Sequence, residues 1–147
     1  MVGMNMFQFA FIDLEQQGQA AFALMQELRP HLTDIASFKA QIQRQQAQNY
    51  QLLAAWQGEQ LQGLAGYRIQ ENLLYGKFLY VDDLVTAAQV RSQGLGQQLI
   101  EVLREQAKQL GCASLVLDTG LANVLGQRFY YRQGFLAKGL HFSQSLV

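Results

Sequence analysis

Two adjacent carboxylates, Asp82 and Asp83, precede two closely spaced glycines, Gly94 and Gly96. The carboxylates end an apolar stretch that is typical of a strand, and the glycines begin an amphipathic stretch that is typical of a helix. A carboxylate beside a substrate can accept a proton as a general base. A glycine turn at a helix start presents free backbone N–H groups, and the helix dipole favours negative charge there. This segment therefore predicts a phosphate or pyrophosphate site, with two carboxylates preceding it in the chain.

Two familiar phosphate-binding motifs match this segment poorly. A P-loop ends in Gly-Lys followed by Ser or Thr, whereas Gly96 is followed by Gln97 and Gln98. A dinucleotide fingerprint requires a third glycine where this chain has Leu99, and it belongs to the first strand–helix unit of its domain. Asp118 lies about twenty residues further on, where that fingerprint places its ribose-binding acid. The P-loop is therefore excluded, and the dinucleotide site stays a minor alternative.

Composition narrows the class of protein. Half of the 147 residues are hydrophobic, which predicts one folded domain over residues 1–147. Eleven basic and eleven acidic residues cancel, so the chain lacks the basic surface that nucleic-acid binding requires. No apolar run approaches ~20 residues, which argues against a membrane span. The single Cys112 and the lack of a signal-peptide pattern favour a cytoplasmic protein, and two distant histidines do not predict a metal site.

The N-terminal half predicts strands and two helices. Asp13, with Gln16 three residues later, is expected to cap the first helix, which Pro30 ends. Thr33 is expected to cap the second helix, and Glu71-Asn72 is a turn signal. Apolar patterns predict strands over 7–12, 50–56, 61–69 and 73–85, the last of which is one strand or a pair of strands. The short connections between the last three segments indicate an antiparallel meander.

The C-terminal half changes to alternating helices and strands. A helix is predicted over 96–110, with Gly111 at its left-handed C-cap. The apolar run 113–118 predicts a strand buried on both faces and parallel to the one before the helix. Asn123 begins a last helix, and 140–146 predicts a final strand. The expected fold is α/β (α+β), with a mixed central sheet, an antiparallel N-terminal meander, a parallel strand–helix–strand unit and about four helices.

Two motifs resemble those of the GNAT superfamily of acetyl-CoA-dependent N-acetyltransferases. Arg91-Ser92-Gln93-Gly94-Leu95-Gly96 matches the family's Arg/Gln-x-x-Gly-x-Gly/Ala motif. Asn123, followed by Tyr130-Tyr131-Arg132-Gln133-Gly134-Phe135, is similar to its Asn…Tyr-x-x-x-Gly-Phe motif. The order of strands around both motifs is also that of the family. The resemblance therefore covers nearly the whole chain and implies the GNAT fold.

The resemblance implies a set of residues that bind acetyl-CoA as the acyl donor. Backbone N–H groups of the glycine turn would hold its pyrophosphate, whereas the Arg91 side chain either contributes or remains a surface group. Backbone groups at the end of the preceding strand would pair with the pantetheine arm and polarise the thioester carbonyl. Asn123 would tether the pantetheine, cap its own helix, or do both. The full set is Leu84, Val85, Thr86, Arg91, Ser92, Gln93, Gly94, Leu95, Gly96, Gln97, Asn123 and Phe129.

The resemblance also implies acetyl transfer to a primary amine by direct attack. Tyr130 matches the tyrosine that serves as general acid for the leaving thiolate, with an aromatic core residue as the alternative. Phe129 and Tyr131 are expected to pack in the core. Asp82 and Asp83 are candidate bases for the amine, and only one of them is expected to face the acceptor because strand side chains alternate. Cys112 is expected to be buried, so no acyl-enzyme is predicted.

The acceptor is an unidentified small-molecule or peptide amine, and a non-catalytic acyl-CoA sensor is the alternative function. Neither nucleic acid nor membrane is an expected partner. About a dozen residues follow Phe135, so the closing hairpin of the family is shortened, and a homodimer could supply the missing wall. Gly126 replaces a common alanine and is expected to weaken the last helix slightly. His141 is a further polar candidate, with a structural role favoured.

Overall fold

Residues 6–147 are described by the computed structural model of the chain. Within them five strands form one sheet, whose spatial order follows the chain: β1 (Gln8–Phe11), β2 (Tyr50–Gln57), β3 (Gln60–Asn72), β4 (Gly76–Thr86) and β5 (Ser114–Leu117). The first four strands pair antiparallel, and β5 runs parallel to β4. The predicted meander, mixed sheet and parallel unit are confirmed.

The described residues also form four α-helices and one short 3₁₀ turn: α1 (Leu14–Leu28), α2 (Ile35–Gln46), α3 (Leu95–Gln109), α4 (Val124–Arg132) and the turn Ala88–Val90. Helices α1 and α3 pack against β3 and β4, while α2 packs against β2 and α1. Apolar residues at helical spacing give α3 its buried face: Leu95, Leu99, Ile100, Leu103 and Ala107. Packing of that face, more than intrinsic propensity, stabilises the helix.

Helix α1 starts at the predicted cap. The Asp13 carboxylate accepts hydrogen bonds from the N–H groups of Glu15 and Gln16. The Asp13 N–H in turn donates to the side-chain oxygen of Gln17, at 2.9 Å. The reciprocal partner is therefore Gln17, one residue beyond the predicted Gln16.

Helix α2 starts one residue later than predicted. Its cap is Asp34, whose carboxylate accepts from the backbone N–H and the hydroxyl of Ser37, at 3.0 and 2.6 Å. The prediction of Thr33 was wrong. A carboxylate is favoured over a hydroxyl here because its charge also interacts with the positive end of the helix dipole. These hydrogen bonds to Ser37 lower the pKa of Asp34.

The hairpin between β3 and β4 turns later than the predicted Glu71-Asn72. The Asn72 side-chain oxygen accepts from the N–H groups of Leu74 and Tyr75, at 3.1 and 2.7 Å. Asn72 therefore ends the strand and fixes the turn by an Asx-type bond. Gly76, at φ +70°, returns the chain to the sheet as the start of β4.

The core lies on the central strands of the sheet. Leu64 and Ala65 of β3 are fully buried, and so are Leu95 and Leu99 of α3. A Cβ at Gly63 would lie 3.0 Å from Leu95 and 3.1 Å from Leu99. This glycine thus lets the first turn of α3 pack closely on β3.

The chain divides into two compact units, the first ending at Val116 and the second comprising Leu117–Val147. The predicted final strand over 140–146 is wrong. No residue from 118 to 147 belongs to a strand, and α4 is the regular element of this segment. Strand β5 is half-buried instead of buried on both faces, because it is the edge of the sheet. One domain over 1–147 stays a prediction.

Candidate functional site

The last residues of β4 turn their backbone groups alternately to two edges. The Ala87 N–H donates to the carbonyl of Gln62 on β3, at 2.8 Å. Because backbone groups alternate along an antiparallel strand, those of Val85 also face β3. The backbone groups of Leu84 and Thr86 face the opposite edge.

That opposite edge is longer than the strand beside it. Strand β5 begins next to Lys77, whose carbonyl accepts from the Ala113 N–H at 2.7 Å. Strand β5 has four residues and β4 has 11. At about 3.3 Å per residue, β5 reaches only the middle of β4. The edge that carries Leu84 and Thr86 therefore extends beyond the pairing with β5.

A bulge separates this edge from the first half of β4. Val81 lies opposite Tyr67 of β3, and Asp83 lies opposite Gly66, so Asp82 is an extra residue without a partner in the register. Such a bulge bends its strand and increases the local twist. The two predicted carboxylates therefore lie at the bend itself.

Asp82 is held by an arginine of the neighbouring strand. Nε and Nη2 of Arg68 donate to its two carboxylate oxygens, at 2.9 and 2.7 Å. Two parallel charged hydrogen bonds of this kind are strong and directional, and they raise the pKa of Arg68. Each oxygen of Asp82 accepts one bond from Arg68, and a carboxylate oxygen has room for a second.

Asp83 is held from two other elements. Nε and Nη2 of Arg29, at the end of α1, donate to Oδ1 at 3.1 and 3.0 Å, and Nη2 also donates to the Asp82 carbonyl at 2.9 Å. The Tyr50 hydroxyl donates to Oδ2 at 2.8 Å. Burial and the charge of Asp83 raise the pKa of Tyr50, so its hydroxyl stays protonated. A Cβ at Gly66 would collide with that hydroxyl.

Helix α3 begins at an N-terminus that no side chain caps. Its N-cap, Gly94, has a φ of +79° and a left-handed backbone. The Gly94 carbonyl accepts from Gln98, so the N–H groups from Gly94 to Gln97 precede the first intrahelical bond. The predicted residues 91–94 are exposed, and Ser92 also has a positive φ, +76°. Free N–H groups on an exposed turn suit an anion.

The loop that leads into this turn is fastened to the β2–β3 hairpin. The side chain of Gln62 is buried, and its oxygen accepts from Gln89 at 3.1 Å. Its nitrogen donates to Gln57 and Gln60, at 3.2 and 3.3 Å. The Gln93 side chain donates to the Gln89 carbonyl at 3.3 Å. Glutamine contacts thus hold the loop from its base to its turn.

The Arg91 side chain turns back towards β4. It donates to the Thr86 carbonyl at 3.2 Å and lies 3.6 Å from the carboxylate of Glu27 on α1. Both charged groups of the ion pair are about half exposed, so the pair contributes little stability. Arg91 covers the carbonyl of Thr86 and leaves its N–H to the strand edge.

In the second unit, Asn123 caps α4 as predicted. Its Oδ1 accepts from the Gly126 N–H at 3.0 Å, and its Nδ2 donates to the Thr119 hydroxyl at 3.0 Å. A Cβ at Gly126 would collide with the Asn123 amide. The glycine in place of the common alanine therefore gives the cap the space it needs.

Tyr130 lies among aromatic rings of the same unit. The ring centroids of Phe129 and Phe135 are 5.3 and 5.8 Å away in edge-on geometry. Burial raises the pKa of Tyr130. Phe129 is half-buried, whereas Tyr131 is exposed, so the prediction that Tyr131 packs in the core is wrong. His141 lies 3.4 Å from Asp118, on the exposed C-terminal segment.

Sequence reasoning found the carboxylates but missed the groups that hold them. Arg29, Tyr50 and Arg68 come from three separate elements, and only tertiary structure brings them to β4. One signal was available for Arg29, because Pro30 ends α1 and so fixes the position of the residue before it. Gln62 carried no signal beyond its place in a glutamine-rich chain. Cys112 is free and half-buried, so the prediction that it is buried is wrong.

No helix in the described residues 6–147 has the length and hydropathy that crossing a membrane demands.

Comparison with known proteins gives consistent matches. The sequence model of the Acetyltransferase (GNAT) family matches residues 18–135. The uncharacterized N-acetyltransferase YhdJ of Bacillus subtilis (strain 168) is 28% identical over 130 residues, which are 87% of this chain and 91% of that protein. Aminoglycoside N(6')-acetyltransferase type 1 of Serratia marcescens is 39% identical over 56 residues, 38% of each chain. The solved structure of aminoglycoside N-acetyltransferase AAC(6')-Iy in complex with CoA has a TM-score of 0.83 over 100% of both chains at 17% identity, which shows a common fold.

Proposed function

Since the chain belongs to the GNAT acetyltransferase family and is an N-acetyltransferase, we propose that it transfers an acetyl group from acetyl-CoA to a primary amine by direct attack. One observation carries the donor side of this proposal: the edge of β4 at Leu84 and Thr86 is followed, after the loop 87–93, by the uncapped N-terminus of α3. An extended arm that ends in a pyrophosphate fits such an edge followed by such a turn.

The residues of the first unit fit coenzyme A in two places. The N–H groups from Gly94 to Gln97 would hold the pyrophosphate, because they have no intrahelical acceptor and Gly94 carries no Cβ at a positive φ. The Leu84 N–H would donate to the thioester carbonyl, and the backbone of Thr86, two residues nearer to α3, would pair with the pantetheine arm. Val85 would support that edge from the β3 side. Acetyl-CoA, when bound, supplies the acetyl group and departs as coenzyme A.

We assign the role of base to Asp82. An amine with a pKa like that of lysine is mostly protonated at neutral pH and must lose a proton before it attacks. Asp82 accepts one bond on each oxygen from Arg68, whereas Asp83 accepts two bonds on Oδ1 and one from buried Tyr50 on Oδ2. Asp82 therefore has more room to accept a hydrogen bond from the amine or from a bridging water.

Tyr130 would protonate the leaving thiolate. Its pKa is raised by burial, so the hydroxyl is protonated at neutral pH and can donate. Asn123 would stay the cap of α4 and leave its second lone pair on Oδ1 for the pantetheine, and half-buried Phe129 would pack against that arm.

A small amine is the first class of acceptor to test, since the relative from Serratia marcescens acts on aminoglycosides. Asp82 and Asp83 are each matched by an arginine, so they offer no unbalanced negative charge to a polycation. We therefore expect an amine with a single ammonium group to be a better substrate than a polycation, aminoglycosides included. A cytoplasmic location and a homodimer remain predictions.

The test is a coenzyme A release assay with a panel of primary amines, preceded by calorimetric measurement of acetyl-CoA binding. Tyr130→Phe should lower kcat by roughly 100-fold while the Kd for acetyl-CoA changes by less than about threefold. Asp82→Asn should lower kcat most near neutral pH and less in alkaline solution, where the acceptor amine is already deprotonated. Tight acetyl-CoA binding without turnover of any amine would favour a sensor. Unaltered turnover in Tyr130→Phe would contradict its role as acid.

A further inference from the structure

Arg29 joins the two residues of the β4 bulge. Asp82 is the extra residue of this bulge and has no partner in the register with β3. Nη2 of Arg29 donates to that carbonyl at 2.9 Å and to Oδ1 of Asp83 at 3.0 Å. One nitrogen thus fixes a main-chain atom and the next side chain together.

The position of Arg29 is itself fixed. It is the C-cap of α1, and its backbone N–H donates to the Met25 carbonyl at 2.8 Å. Pro30 follows it and disfavours the helical region for its backbone, which has φ −122° and ψ 76°. The Arg29 backbone is therefore fixed. The planar guanidinium loses little further conformational freedom when it donates to Asp82 and Asp83.

Tyr50 holds the other side of Asp83. Its hydroxyl is buried under the sheet and donates to Oδ2 at 2.8 Å. Gly66 lies opposite Asp83 in the register and leaves the space that this hydroxyl fills. Leaving this buried hydroxyl without its acceptor would destabilise the folded protein. The hydrogen bond therefore holds the side chains of Tyr50 and Asp83 in place.

Resting on the proposed function, we propose that Arg29 and Tyr50 are positioning residues that act through Asp83 to set the direction of β4 beyond its bulge. Leu84 follows Asp83 directly, and Thr86 lies two residues further on. The angle at which the strand leaves the bulge decides where their N–H groups point. Asp83 is in this view a structural anion, and its charge is matched by Arg29.

The test needs no acceptor, because the carbonyl of [1-¹³C]acetyl-CoA reports its own hydrogen bonds in the infrared. In the wild-type protein the bound carbonyl band should lie at lower wavenumber than that of free acetyl-CoA. Arg29→Gln should lose most of this shift, and Tyr50→Phe should lose part of it. Calorimetry on the same samples should show a Kd for acetyl-CoA within about threefold of wild type, since the pyrophosphate turn is untouched.

Arg44→Gln, which removes an exposed arginine from α2, is the matched control and should keep the full shift. Arg29→Lys keeps the charge without the fork, so it should recover only part of the shift, and it decides the question should Arg29→Gln fail to fold. A full shift in folded Arg29→Lys and Tyr50→Phe would overturn the positioning role alone. A wild-type protein that binds acetyl-CoA without any shift would overturn the thioester assignment, and one that does not bind it would overturn the proposed function.

Discussion

Helices α1 and α3 have the same length, 15 residues, but their N-termini are capped differently. The first turn of α1 is closed by the Asp13 carboxylate, which provides both the acceptors and the negative charge that the helix end favours. The first turn of α3 has a left-handed glycine and neither of these. A helix end that its own chain leaves unsatisfied is available to a ligand, and α3 is the one that follows the free edge of β4.

The largest effect should follow the loss of that glycine. Gly94→Val forces a β-branched residue into φ +79°, where strain is about 1–3 kcal/mol, and the turn should rearrange so that its N–H groups no longer converge. We expect acetyl-CoA binding to weaken by roughly 100-fold or more, measured by calorimetry. Wild-type affinity in a folded Gly94→Val protein would contradict the pyrophosphate site.

A smaller effect should follow when α3 receives a cap like that of α1. Asp and Asn both tolerate the left-handed region and both cap helices, so Gly94→Asp and Gly94→Asn differ mainly in charge. We expect Gly94→Asp to bind acetyl-CoA roughly 10-fold more weakly than Gly94→Asn, and the difference should shrink at high salt. Equal affinities for the two variants would show that no anion approaches this turn.

The reverse change at α1 should affect stability and not binding. Asp13→Ala removes the acceptor of two N–H groups and should lower the free energy of unfolding by about 1 kcal/mol, measured by urea denaturation. The Kd for acetyl-CoA should stay that of the wild type. A clear loss of affinity in this variant would mean that the two helix ends are not independent.

The smallest effect concerns pH at α2. The pKa of Asp34 is lowered by its hydrogen bonds to Ser37, so its contribution is present above the unfolded pKa near ~3.9 and is lost as pH falls through the folded value. The difference in Tm between wild type and Asp34→Ala should be constant from about pH 7 to 5 and vanish in stronger acid. Gly94, the cap of α3, has no side chain to titrate. A Tm difference between wild type and Asp34→Ala that grew in acid would contradict the role of Asp34 as a charged cap.

Local patterns in the sequence were sufficient for most of the fold. The glycine turn before α3, the left-handed Gly111 and the Asn123 cap all depend on backbone conformations that single residue types favour. The order of strands followed from short connections and apolar alternation. The final strand failed for the opposite reason, since apolar residues over 140–146 cannot form a strand without a neighbour, and pairing is not a local property.

The candidate site could be predicted only in part for the same reason. Asp82 and Asp83 were visible as adjacent carboxylates, but Arg29 is 54 residues from Asp83 in sequence and Tyr50 is 33. Which carboxylate is fully engaged depends on those contacts and on the bulge that separates the two residues. No spacing rule predicts an extra residue in one strand of a pair.

The hydrogen bond between Gln62 and Gln89 affects the rate at which a ligand associates with the loop. The loop between β4 and α3 is already ordered by the folded protein, through the Gln62 side chain and the bond from Ala87 to the Gln62 carbonyl. A preformed loop spares the ligand the entropy of arranging it, so association should be governed by diffusional encounter and not by a slow rearrangement. Removal of the hydrogen bond between Gln89 and Gln62 would leave a loop that the ligand must order when it binds.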